Sequence, residues 1–301
     1  MLRALGGLLL LSANVQAEEH DWPTAPRTKD AEQRVSLSVS NRAGLVKAPF
    51  VTTAFPEVAG FATVLTGDVA VRLSTLGWLR LRLPVSITRL DFPARAQVAE
   101  TALGNLELSL EHPVPLRPST RLWLLAAMIV PSAQHGPENS LLDNRALALG
   151  NASNGGKDSA LLTPGVSGVR VGASLEHSWR PFEFRVSLDL PLLVRVSDAN
   201  LPENTETHPL ALLPAVELRA AWWVTSSFGA SLGAGLITEP LRAQEPALER
   251  DRDRRLQPLV EPGLHAQLGK HIALALDGSV PVGGSLGGNA WAIGLQGRFA
   301  F

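Results

Sequence analysis

Residues 290–301 alternate between mostly large apolar side chains and small or polar ones, and this repeat strongly restricts the possible folds. Counted back from the end, the first set is Phe301, Phe299, Gly297, Leu295, Ile293 and Trp291, and the second is Ala300, Arg298, Gln296, Gly294, Ala292 and Ala290. A period of two residues is that of a β-strand whose two faces meet different surroundings. We therefore expect a strand here with one apolar face and one small or polar face.

The same alternation recurs along the chain and predicts about twelve strands in all. The others are expected at 34–40, 61–75, 78–90, 102–114, 121–130, 166–179, 182–196, 208–223, 227–238, 256–268 and 271–280. In the third strand, Arg80 and Arg82 stand between leucines, and an unpaired charge is costly in a dry core. After the N-terminus, no stretch reaches the roughly 18 uninterrupted apolar residues of a transmembrane helix. The polar faces are therefore expected to meet water and the apolar faces lipid.

The connections between these predicted strands alternate in length. Short turns are expected at 76–77, 115–120, 180–181, 224–226 and 269–270, and longer ones at 41–60, 91–101, 131–165, 197–207, 239–255 and 281–289. An up-and-down barrel with both chain ends on one side has short turns on that side and long loops on the other, whereas a β-sandwich has no reason to sort its loops this way. The sequence thus predicts an all-β fold, a single up-and-down antiparallel transmembrane β-barrel over 34–301.

The first residues have the pattern of an export signal. A short basic start is followed by an apolar stretch at 4–11, and small residues precede the pair Glu18 and Glu19. This order is typical of a cleaved signal peptide, which we expect at 1–17, although a short buried helix is the alternative. Residues 18–33 are polar, contain Pro23 and Pro26, and are predicted to be a periplasmic tail.

A chain that combines these strands with a terminal aromatic residue resembles bacterial outer-membrane β-barrels. The resemblance implies a place in the cell outer membrane, contact with its lipid and lipopolysaccharide, and recognition of the strand ending at Phe301 by the barrel-assembly machinery. Segment 102–133 is also similar to a segment of Gram-negative barrels of the phenol-degradation transporter class, in which Gly-Asp-Leu-x-Leu-x-x-x-Tyr precedes a strand ending in Leu-Pro-x-Gly. Here Asn105 stands for the Asp, His112 for the aromatic residue, and Ala133 lies near the last Gly.

Aromatic residues cluster near the predicted strand ends, where membrane interfaces favour them. Those expected at the short-turn end are Trp78, Trp179, Phe182, Trp222, Trp223, Phe228, Phe299 and Phe301, and those at the long-loop end are Phe61, Phe92 and Trp291. The alternative is that they are ordinary buried aromatic residues.

Charged residues of both signs lie on the predicted inward faces. The lumen candidates are Asp68, Arg72, Arg80, Arg82, Glu107, Glu111, Arg170, Glu176, Glu183, Arg185, Asp189, Glu217, Arg219, Glu261, His265, Asp277 and Arg298. In one interpretation they line a conduit whose mixed charges select small solutes. In the other interpretation, they pair across strands and fill a narrow barrel, and the protein has a structural or surface-interaction role. Twelve strands fall between filled and open barrels, so both interpretations stay open.

The long connection 131–165 contains a segment with helical character at 139–150. Ser140 is a candidate cap, Asp143 follows three residues later, and Gly150 offers a stop. We expect this segment, with Ser140, Asp143 and Arg145, to fold into the barrel mouth as a constriction or plug. The alternative is a disordered surface loop with 151–157 as its tip.

Other functions have less support from the sequence. The net charge of −1 argues against nucleic acid as a partner. The chain has no cysteine and no pair of histidines at helical spacing, so no metal or cofactor is expected. A lipid hydrolase is less favoured because no nucleophile elbow, a serine on a sharp turn between a strand and a helix, is predicted, and because the adjacent His177 and Ser178 would point to opposite faces of a strand. The charged loop at 250–255 could contact lipopolysaccharide phosphates or be a solvated tip.

Overall fold

A computed structural model describes residues 34–46, 59–73, 76–91, 98–133, 140–196, 210–238, 256–269, 271–284, 286–288 and 290–301. The predicted signal peptide, the polar tail 18–33, Phe92 and the charged loop at 250–255 lie outside these residues.

The described chain forms fourteen strands and two helices. The strands are β1 Val35–Val46, β2 Ala59–Arg72, β3 Trp78–Asp91, β4 Val98–Leu103, β5 Leu106–Arg117, β6 Thr120–Val130, β7 Val166–Trp179, β8 Phe182–Arg195, β9 Leu210–Leu212, β10 Ala215–Trp223, β11 Phe228–Thr238, β12 Leu256–Leu268, β13 Ile272–Pro281 and β14 Ala290–Ala300. The helices are α1 Ser140–Ser153 and α2 Ser159–Leu162, both between β6 and β7. Neither helix is long and apolar enough to cross a membrane.

The strands close into one antiparallel barrel. β3 pairs with both β4 and β5, and β8 pairs with both β9 and β10, so each of these couples makes one span of the wall. The wall therefore has twelve spans joined up and down in sequence order, which confirms the predicted fold class. We call the end with the short connections the turn end and the other the loop end.

The first and last strands form the seam of the barrel. Leu37 lies opposite Phe299 and Val46 opposite Ala290, and β1 pairs with β2 on its other side. The strand predicted at 34–40 is longer than expected, because pairing on both sides carries it through Asn41 and Arg42 to Val46. This closure pairs β1 and β14 on both sides, and an unpaired edge there would otherwise be open to aggregation.

Two wall spans are interrupted where the sequence predicted one continuous strand. One break lies at Gly104 and Asn105 and the other at Leu213 and Pro214. At the second break, Pro214 has no N–H to give to the sheet ladder, and the Leu213 N–H still donates to the Pro191 carbonyl at 3.0 Å. The first break coincides with a side-chain contact with the barrel interior that is described below.

The outer surface carries a continuous set of exposed apolar side chains. Val39 is 51% exposed and Leu295 is 57% exposed, while Ala292 and Arg298, on the inward face of β14, are buried. Aromatic residues frame this surface at the turn end, where Trp179, Phe182, Trp222, Phe228 and Phe299 face outward.

Two tryptophans predicted for this outer ring instead face inward. Trp78 is 2% exposed and Trp223 is 8% exposed. Trp78 has the same parity as Arg80 and Arg82 on β3, so it shares their inward face. Trp222 and Trp223 are adjacent, and neighbouring residues of a strand point to opposite faces.

The two helices lie inside the barrel and not above it. Residues 140–165, which we call the plug, pack against β1 to β4 and β14. Leu149 and Ala152 of α1 contact Val46 and Ala62 on the wall, and Leu162 of α2 belongs to a second cluster with Val64. The segment after β13 adds Leu286, which is 1% exposed against α1.

Candidate functional site

The predicted lumen residues all lie on the inward side of their strands, where they alternate with outward apolar side chains. They are Asp68, Arg72, Arg80, Arg82, Glu107, Glu111, Arg170, Glu176, Glu183, Arg185, Asp189, Glu217, Arg219, Glu261, His265, Asp277 and Arg298. The structure divides them into groups that contact only the wall and groups that contact the plug.

Arg80 and Arg170 make ion pairs within the wall. Arg80 Nη1 lies 3.2 Å from Glu111 Oε1, and Arg80 Nε lies 3.4 Å from Asp68 Oδ2. Arg170 Nη1 lies 2.8 Å from Glu107 Oε2. Its Nε donates to Asp189 at 2.8 Å. Each guanidinium thus bridges carboxylates on neighbouring strands, which offsets part of the cost of burying these charges.

A second set of charges joins the wall to the turn between α1 and α2. Lys157 Nζ lies 3.3 Å from Glu217 Oε2 and also pairs with Glu261. Arg219 contacts the same two carboxylates, at 2.8 Å and 3.0 Å. A cation from the plug and a cation from the wall therefore share one pair of glutamates.

Two further contacts complete the attachment of this turn. Arg82 Nη1 lies 3.1 Å from Asp158 Oδ1. Arg42 Nη1 donates to Asn154 Oδ1 at 2.6 Å and pairs with Asp277. We call Asn154, Lys157 and Asp158 the latch. The latch contacts four wall strands, β1, β3, β10 and β12, and so ties the turn between α1 and α2 to several sides of the lumen.

The latch aspartate is ionised at neutral pH. Burial alone would raise the pKa of the Asp158 carboxyl, but the guanidinium groups of Arg82, Arg170 and Arg42 outweigh burial and hold that pKa below its usual range. The pair with Arg82 is therefore charged on both sides.

The latch was not predicted from the sequence. Residues 151–157 were considered only as the tip of a disordered loop, one of two alternatives for this segment, and Arg42 lay in a predicted loop. The structure instead gives Lys157 and Asp158 buried partners from distant parts of the chain. A signal was present, because two adjacent charges follow a glycine pair at 155–156, but their partners are not visible from local pattern.

Helix α2, which follows the latch, is fixed by Asn105 at the break in the wall. Its Nδ2 donates to the carbonyls of Ala160 at 3.0 Å and Thr163 at 2.7 Å, and its Oδ1 accepts from the Ala133 N–H at 3.2 Å. Its own N–H donates to Leu161 at 2.7 Å. The strand is interrupted here because these backbone groups leave the sheet ladder and bind α2 instead.

Close approach of α1 to the wall depends on Gly150. A Cβ placed there would lie 2.3 Å from Ser86 Oγ and 3.0 Å from Ser86 Cβ. Ser86 is buried and its Oγ donates to the Ala146 carbonyl at 2.8 Å. Only glycine lets the helix backbone come this near to β3.

The constriction candidates Ser140, Asp143 and Arg145 are on the backbone of α1, which runs from 140 to 153 where the sequence predicted 139–150. Their side chains lie outside the described part of the structure.

The turn end of the lumen is lined by aromatic side chains. Trp78 and Trp123 pack with Ala70, and Trp123 Nε1 donates to Glu176 Oε2 at 2.9 Å. On the other side, the Trp223 ring lies 6.3 Å from the His265 ring. We call Trp78, Trp123 and Trp223 the floor. A cavity of about 350 Å³ extends from the latch down to Trp123 and His265.

The same fold occurs in an outer-membrane channel from Pseudomonas putida F1. The two structures superpose with a TM-score of 0.62 at 11% sequence identity, over 95% of this chain and 100% of that one. The fold is that of an outer-membrane β-barrel. No protein family and no curated protein matches the sequence.

Two other solved structures are similar at a lower level. The NanC porin has a TM-score of 0.47 at 8% identity, over 87% of this chain and 100% of that one. The translocator domain of the autotransporter NalP from Neisseria meningitidis has a TM-score of 0.49 at 11% identity, over 89% and 88%. At 11% identity, the likeness to the Pseudomonas putida channel establishes the fold alone.

The barrel's surface gives its location. A closed wall whose outward surface is apolar and bordered by aromatic residues is suited to contact with lipid. The protein lies in the outer membrane.

Proposed function

We propose that the protein is a passive outer-membrane channel for small solutes, and that the plug closes its mixed-charge lumen in the conformation described here. The observation that supports this most strongly is the way the plug is held. The wall holds it mainly through side-chain contacts, with the charged latch in the turn between α1 and α2, and a cavity lined by charged and hydroxyl side chains remains below it. Such contacts can be released without unfolding the barrel.

The width of the barrel supports a conduit. Eight-stranded barrels are filled by side chains alone, whereas wider barrels leave room for water. Here the wall side chains leave space for two helices and a cavity of about 350 Å³. Removal of the plug would join that cavity to the loop end of the barrel.

The alternative is a structural or surface-interaction protein with a permanently filled barrel. Cross-strand pairs such as Arg170 with Glu107 and Asp189 favour it, as does the buried floor. On this alternative the plug is a fixed part of the core and no solute passes.

Catalysis has less support, and we propose that the protein is not an enzyme. A Ser–His contact exists, with Ser231 Oγ 2.8 Å from His265 Nε2. Both side chains face the lumen, whereas the ester bonds of membrane lipids lie outside the wall. A lipid hydrolase would need this pair on the outer surface.

We also propose partners for the barrel. Outer-membrane lipid and lipopolysaccharide are expected around the apolar surface, and β14 is the segment that the barrel-assembly machinery would bind. That role fits its place at the seam, because β14 can close the wall only when the other strands are paired.

Planar-bilayer recording tests the channel function. The full-length protein is compared with a variant in which 141–163 is replaced by a short Gly-Ser linker. We expect discrete conductance steps that are rare in the full-length protein and frequent in the linker variant. A linker variant that is folded, as shown by heat-modifiable migration, but silent would favour the filled structural barrel. Lipid hydrolysis by the purified protein would instead favour an enzyme.

A further inference from the structure

The cavity between the latch and the floor has two facing walls. Counting from β1 through β2, β3, β5, β6 and β7 reaches β8 after six of the twelve spans. The same count from β14 reaches β7. The seam strands β14 and β1 therefore lie across the lumen from β7 and β8, and residues from both walls line the cavity.

The seam wall presents neutral polar groups to the cavity. Ser40 is paired with Thr66 on β2 and with Gln296 on β14, so these three side chains sit side by side at one height. Ser38 lies on the same inward face of β1, below Ser40. We call Ser38, Ser40, Thr66 and Gln296 the hydroxyl–amide patch.

The facing wall also presents hydroxyl groups. Ser174 of β7 and Ser187 of β8 line the cavity, and Arg185 Nε donates to them at 2.7 Å and 3.1 Å. The two hydroxyl groups lie 3.2 Å apart. This arrangement fixes the serine oxygens in place on the wall opposite the patch.

The charges around the cavity already have partners. Arg80, Arg82 and Arg170 pair with carboxylates of the wall or latch, and Lys157 and Arg219 share Glu217 and Glu261. An ionic solute would have to break one of these pairs to gain a counter-charge, and a buried charge that loses its partner is costly. A neutral solute has no such cost.

From these features we infer the solute class, an inference that rests on the proposed channel function. The cavity is a binding compartment for a neutral, polyhydroxylated solute of about monosaccharide size. The hydroxyl–amide patch and the paired serines supply donors and acceptors on opposite sides. The Trp123 ring supplies an apolar contact at one end. The volume of about 350 Å³ falls at the small end of ligand pockets, which run from about 300 Å³ upward.

Flux measurements in proteoliposomes test this inference. Vesicles carry the full-length protein, in which Lys157 and Asp158 keep their partners, with equal salt on both sides so that no potential drives ions. Uptake of labelled glucose is compared with that of gluconate and glucosamine, which are close in size but charged. We expect glucose to enter about fivefold faster than either, a ratio of the order of one net hydrogen bond.

Two conservative changes give the residue-level test. Ser40→Ala with Thr66→Val removes two hydroxyls of the patch, and Thr63→Val removes one from the outward face of β2 as a matched control. The double variant should lose most of the preference for glucose at unchanged potassium chloride conductance, and the control should keep it. Equal uptake of the three solutes, faster entry of a charged one, or an unchanged preference in the double variant would overturn the inference. An absence of conductance in the linker variant would instead overturn the channel function itself.

Discussion

At the scale of single residues, the contact that decides the state of the lumen is the pair Arg82 and Asp158. Both side chains are mostly buried, at 25% and 16% exposure. Loss of one partner leaves a buried charge without compensation, whereas loss of both is often tolerated. The charged pair therefore holds the plug more firmly than neutral contacts of the same size would.

Asp158→Asn is expected to release the plug part of the time. The change leaves Arg82 without its carboxylate in the closed state, and we expect it to cost the closed state about 2 kcal/mol, or about thirtyfold in the open population. Single-channel recording measures that population as open probability.

The matched control for this prediction is the double variant Arg82→Gln/Asp158→Asn, which removes both charges. Its open probability should return toward that of the unchanged protein, because no uncompensated charge remains. If both variants opened to the same extent, the pair would not be coupled and the latch would not depend on it.

Residues with a repeating pattern were predictable, and residues with long-range partners were not. The inward position of Arg80 follows from its alternation with Leu79 and Leu81. By contrast, Lys157 and Asp158 lie in a turn, and their partners come from strands far away in sequence. A local pattern predicts which face of a strand a side chain occupies, but it does not predict which charged residue that side chain pairs with.

At the scale of elements, the break in the wall at Gly104 and Asn105 is what joins the plug to the barrel. The strand predicted at 102–114 continues across this position by pattern. The interruption arises because Asn105 binds three backbone groups of the interior. The plug itself was foreseen only as one of two alternatives for 139–150, since a helical pattern does not tell where a helix docks.

Asn105→Ala is expected to detach α2 and destabilise the barrel. It leaves two carbonyls and one N–H buried without partners, and we expect a loss of about 3 kcal/mol or more in the free energy of unfolding. Asn105→Asp should not rescue it, because a carboxylate can accept from Ala133 but cannot donate to Ala160 and Thr163. Denaturant unfolding in vesicles measures both.

Thr101→Ala on the same wall span, outside this contact, serves as the control and should change little. A small effect for Asn105→Ala, comparable to that control, would mean that the plug is held mainly by apolar packing.

At the scale of the whole molecule, the even number of spans, the sorting of loops by length and the closing pair β1 and β14 were all predictable. They follow from periodicity and from the need to leave no strand edge in lipid. The inward tryptophans Trp78 and Trp223 were assigned to the outer ring because they lie at strand ends. The alternation of side chains along each strand, which decides the face that a residue occupies, predicts their inward orientation correctly.

Depth in the membrane gives a test of the whole arrangement. Leu295→Arg, in the middle of β14, should cost about 2 to 4 kcal/mol in the free energy of unfolding, whereas Leu268→Arg, at the turn end of β12, should cost about 1 kcal/mol or less. Both leucines are outward and more than half exposed, at 57% and 53%, so the comparison isolates depth. Equal costs in vesicle-embedded protein would contradict the placement of the apolar surface in lipid.

The most direct test of the account is to lock the plug to the wall. The chain has no cysteine of its own, and a Cβ at position 150 would lie 3.0 Å from that of Ser86, so a small shift brings the pair to disulfide spacing. Ser86→Cys with Gly150→Cys, built into the Asp158→Asn protein, is recorded in a planar bilayer before and after reductant. We expect no conductance steps while the cross-link is intact and discrete openings once it is reduced. Openings of the same size and frequency in the cross-linked protein would contradict it.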